Sequence, residues 1–66
     1  MNVSNMRLAS YADNWGNSAT LNKLANAFTV SVTSGLLKES FVYSFSDRKR
    51  AEIEYAYHVH YFTRED

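Results

Sequence analysis

The residues best suited to chemistry are His58 and His60, in the stretch AEIEYAYHVHYF at positions 51–62. On an extended strand, residues i and i+2 project from one face, so two imidazoles at this spacing could share a metal ion. Glu52 and Glu54 fall on the same face, but Glu52 lies about 20 Å from His58 along a strand. A third ligand would have to come from another strand or another subunit. A solvated face that carries His and Glu accounts for the same residues, and no metal or cofactor is expected.

Other catalytic constellations are weaker. There is no cysteine, so thiolate chemistry and cysteine-ligated zinc are excluded. No serine sits in a G-x-S-x-G elbow. The acids Asp13, Glu39, Asp47, Glu52 and Glu54 are scattered, and a chain of 66 residues has little room for a catalytic pocket. Catalysis is therefore not expected. The run Arg48, Lys49, Arg50 could grip a phosphate or an acidic protein patch. The favoured reading is a solvated turn that guards aromatic strands from aggregation.

Composition narrows the class. Seven basic residues balance seven acidic ones, which argues against strong nonspecific binding to nucleic acid and against an acidic DNA mimic. Hydrophobic residues at 45% and aromatic ones at 15% belong to a globular chain rather than a disordered one. No apolar run approaches the roughly 20 residues of a membrane span, and the N-terminus shows no secretory signal pattern. One small cytoplasmic domain over residues 1–66 is the expectation.

The elements follow from periodicity. Leu8, Tyr11, Ala12 and Trp15 fall at i, i+3, i+4 and i+7, and Leu21, Leu24, Ala25 and Phe28 repeat that spacing. Two short N-terminal helices are expected, with Gly16 ending the first. MRLASYA alone also reads as an edge strand. AFTVSVTS and ESFVYSFS alternate apolar and polar residues as strands do, joined by a hairpin loop that contains Gly35. In 51–62 the odd positions Ala51, Ile53, Tyr55, Tyr57, Val59 and Tyr61 are all apolar or aromatic. That alternation predicts a third strand, after a turn at SDRKR. A helix over 47–62, capped by Ser46 or Asp47, is the competing reading. The expected fold is α+β, with two short N-terminal helices packed on a three-stranded antiparallel meander.

TLNKLANAFTVS resembles the first helix and turn of phage repressors of the Cro and λ-repressor type. Thr20, Leu24, Ala25, Phe28, Val30 and Ser31 carry the resemblance. Thr29 replaces the turn glycine, and Gly35 stands where the recognition helix needs an apolar anchor. The resemblance covers under half of the chain and implies a DNA-binding regulator with Arg48 on phosphates and Thr33, Ser34 and Lys38 near the groove.

Together these observations favour a non-enzymatic protein-binding module. Its concrete form is a small phage-type inhibitor, anti-CRISPR-like or acting in host takeover. It would block a host protein or protein–nucleic acid complex sterically. A small chain beginning at methionine fits that class. The expected contact residues are Leu36, Leu37 and Lys38 in the loop, Arg48, Lys49 and Arg50 in the turn, and Tyr55, Tyr57, His58 and His60 on the last element. The alternatives are the Cro-like regulator and a self-assembling structural subunit, the latter including a homodimer joined through a sheet edge.

Overall fold

The computed structural model describes residues 6–64. Four strands precede one helix: β1 (Met6–Ala12), β2 (Ser18–Lys23), β3 (Phe28–Ser34), β4 (Glu39–Phe45) and α1 (Arg48–Thr63). The strands form an antiparallel meander in the order β1-β2-β3-β4. The chain is α+β, but among the described residues the two N-terminal helices and the three-stranded sheet expected from sequence are replaced by four strands and one C-terminal helix. The segments read as helices are β1 and β2, and the segment read as a third strand is α1. The Cro-like helix-turn-helix goes with them, because Thr20 to Ser31 spans two strands and their turn.

Register sorts the side chains. Directly opposed residues share a face, and Ala9, Leu21, Val30 and Tyr43 form one cross-strand row. Tyr11, Ala19, Val32 and Phe41 form the next row on the same face. The opposite face carries Ser10, Thr20, Ser31 and Val42 in one row and Ala12, Ser18, Thr33 and Ser40 in another. One apolar and one hydroxyl-rich face is the pattern of an antiparallel sheet covered on one side.

The helix covers the apolar side. Asp47 caps it by accepting a bond from the Lys49 amide at 3.1 Å. Its inward residues are Ala51, Tyr55, Val59 and Phe62, spaced at about one helical turn. Ala51 is fully buried, and its small side chain lets the helix settle close to the sheet. The buried core is Ala19, Leu21, Val30, Val32 and Ala51. None of the four Phe, five Tyr or single Trp belongs to that core. Among the described residues, no helix is long and apolar enough to cross a membrane.

Leu21 is almost fully buried, whereas Ser10 is exposed on the uncovered face. Leu21→Ala should lower the unfolding free energy by about 2–5 kcal/mol. Ser10→Ala should change it by less than roughly 0.5 kcal/mol. Urea midpoints of the two variants check the assignment of faces.

Candidate functional site

The β1–β2 and β3–β4 turns lie at one end of the sheet and are clasped together. Asp13 organises the first turn. Its carboxylate accepts from the Tyr11 hydroxyl at 2.9 Å, the Trp15 amide at 2.9 Å, and both the amide and the side-chain Nδ2 of Asn17 at 3.1 Å. Asn17 then reaches across, and its Oδ1 accepts from the Gly35 amide at 2.9 Å. Gly35 packs so tightly on the first turn that a methyl group there would overlap the Trp15 carbonyl oxygen. Gly16 sits at φ 85°, a left-handed conformation that favours glycine.

The clasp presents three large apolar side chains. Trp15 is 77% exposed, Leu36 89% and Leu37 60%. Lys38 closes the second loop at φ 57° and donates its amide to the Ser34 carbonyl at 2.7 Å. Behind the loops is a cavity of about 460 Å³, lined by Leu36, Leu37, Phe41, Tyr43, His58 and Tyr61 among others. Rigid loops that display Trp and Leu are a typical binding surface. Sequence reasoning missed Trp15, Asp13 and Asn17. The dense run of turn formers in DNWGN, read above as the end of a helix, was the available signal.

The structure divides the expected contact residues into three places. Leu36, Leu37 and Lys38 lie at the tip. Arg48, Lys49 and Arg50 occupy the first turn of α1, at the other end of the sheet, rather than a hairpin turn. Three cations there oppose the helix dipole, and the Arg48–Glu52 ion pair at 2.8 Å offsets only part of that. Tyr55 faces the core and Tyr57 faces solvent. His58 is half-buried, hydrogen-bonded to Glu54 at 2.7 Å and stacked on Tyr43 at 5.5 Å.

His60 is exposed in the last turn. On a helix, residues i and i+2 diverge by about 200°, so the strand-based pairing of His58 with His60 does not occur. Among the described residues, no group of three His, Cys, Asp or Glu could hold a metal ion.

Burial pushes the Asp13 carboxyl up. The bonds from the Trp15 amide, the Asn17 side chain, the Tyr11 hydroxyl and the Asn17 amide outweigh it, so the carboxyl is held below its ordinary value. Burial first, and then the bond to Asp13, raise the Tyr11 phenol above its ordinary value. A depressed carboxyl stabilises the fold above its unfolded value, and that contribution disappears as pH falls through the folded one. A raised phenol contributes below its unfolded value, and that contribution is lost as pH rises through the folded one.

Trp15, the single tryptophan, reports on the clasp. Its fluorescence should hold steady near neutrality and shift in acid as Asp13 protonates. Asp13→Ala should remove the acid step. Gly35→Ala should produce the open-clasp signal at neutral pH. An unchanged acid step in Asp13→Ala would assign the transition to another group. No protein-family model matches the chain, nor does any curated protein or solved structure.

Proposed function

We propose that the chain is a non-catalytic protein-binding module that docks through the clasped tip. Trp15, Leu36 and Leu37 make the apolar contact, and Lys38 adds a cation at its margin. One observation supports this above all. Three large apolar side chains are exposed on two turns that a hydrogen-bond network holds together, although the core does not use them. Large exposed side chains on preorganised loops lose little entropy on binding.

In its more specific form the proposal is a small phage-type inhibitor, anti-CRISPR-like or acting in host takeover, that occludes a host complex. Balanced charge, which disfavours nonspecific nucleic-acid binding, fits that form. The cations at the start of α1 sit at the far end, where they would steer approach more than form the contact.

The test is stoichiometric capture from a lysate by the tagged chain, with and without nuclease. A nuclease-resistant protein complex is the expected result. Trp15→Ser and Leu36→Asp should each weaken it by roughly 30-fold, the effect of losing a contact worth about 2 kcal/mol. Circular dichroism of both variants should be unchanged. Capture that tolerates both substitutions, or that disappears with nuclease, would overturn the proposal.

A further inference from the structure

The two edges of the sheet differ. β1 carries a register break between Arg7 and Ala9, and Arg7 lies on it. A bulge and a charge are common guards of an edge strand. β4, ESFVYSF, pairs with β3 in unbroken register over all seven residues. It contains neither proline nor a basic residue, and among the described residues nothing pairs with its outer side. Half the amides and carbonyls of such a strand point outward without ladder partners.

The flank of α1 above this edge is apolar as well. Ile53, Tyr57 and Tyr61 repeat every fourth residue and are exposed. They lean toward β4: Ile53 shares a concavity with Phe45 and Arg50, and Tyr61 shares the cavity with Phe41 and Tyr43. Tyr57 packs edge-on against His58, which stacks on Tyr43. Thus an open strand edge, the aromatic floor of β4 and an apolar helix flank form one strip.

We propose that this strip is the interface of a homodimer, in which β4 of each copy pairs antiparallel with β4 of the other. A two-fold axis perpendicular to the sheet at Val42 places Val42 opposite its own copy. It places Phe41 opposite Tyr43, and Glu39 opposite Phe45. The result is a continuous eight-stranded sheet with both helices on the same face, and Tyr57 of each helix nearest the axis.

Three features select a second copy as the occupant. The strip carries an unpaired carboxylate at one end and, among the acids Asp47 and Glu54, a guanidinium at the other that makes no ion pair among the described residues. Glu39 projects on the helix-covered face at one end, and Arg50 stands beside Phe45 at the other. A two-fold brings each Glu39 to the Arg50 end of the other copy, which is the self-complementarity a symmetric interface requires. Among the described residues only five form the buried core, the sequence has no cysteine, and small folds without staples commonly gain stability by association. Finally, Phe41, Val42, Ile53, Tyr57 and Tyr61 are each 40% to 66% exposed. Full burial of these five side chains would remove on the order of 500 Å² per copy, the larger part of the roughly 800 Å² per partner of a standard interface. The tip with Trp15 and Leu36 stays outside the joint, so each dimer carries two.

Sedimentation velocity of the full chain over a concentration series tests this. The expected species has twice the 7.6 kDa chain mass. Val42→Lys sets two ammonium groups face to face and should weaken the dimer by more than roughly 100-fold. Glu39→Arg and Arg50→Glu should each weaken it, and the double exchange should restore it to within about ten-fold. That rescue remains decisive if Val42→Lys fails to fold. Trp15→Ser and Leu36→Asp should leave the dimer intact, so failure of the docking proposal would show separately. A monomer at every concentration, a dimer insensitive to the charge exchange, or a dimer lost with the tip variants would each overturn the inference.

Discussion

A single sixteen-residue helix must cover a four-stranded sheet, and its cover is incomplete. Ala51 lets α1 settle over β2 and β3, where Ala19, Leu21, Val30 and Val32 are closed off from water. Nothing in that narrow space admits an aromatic ring completely. The rings are displaced to the perimeter, where Tyr11 stacks on Phe62 at 6.1 Å and Tyr43 on His58 at 5.5 Å. The aliphatic centre holds the fold, and the aromatic margin leaves rings available for contact with other molecules.

Polar groups complete the design at the tip. The half-buried side chains of Asp13 and Asn17 bond to one another and to the backbone of both turns. Two loops that would otherwise move independently become one platform. Because the β-turns lock at their own ends of the strands, the platform inherits its position from the register of the sheet. Helix and tip are also coupled, since Tyr61 and Phe62 line the cavity behind Leu36 and Leu37.

Much of the second half was legible in the sequence. The alternation in AFTVSVTS and ESFVYSFS places β3 and β4 where they stand, and the Gly35 loop joins them. The 51–62 segment misled for a physical reason. Ala51, Tyr55, Val59 and Phe62 face inward while Ile53, Tyr57 and Tyr61 face outward. Two stripes with a spacing of about four, offset by two, mimic the period of a strand. Asp47 as a cap was the signal that favoured the competing helix. In the first half, Leu8, Tyr11 and Trp15 satisfied a helical spacing by coincidence. The turn formers around Gly16 were the stronger evidence, because its left-handed φ serves a hairpin turn as well as a helix end. Of the expected contact residues, Leu36 and Leu37 stand on the tip. Their companion Trp15 was hidden by its assignment to a helix.

An aliphatic centre that supports the fold leaves the aromatic margin free for contact with other molecules. Residue-resolved amide hydrogen exchange at low and high protein concentration tests it most directly. Slow exchange is expected throughout β2 and β3 at both concentrations. In β4, every second amide should gain protection as concentration rises, because alternate amides point outward. Rapid exchange in β2 and β3, or protection in β4 that ignores concentration, would contradict it.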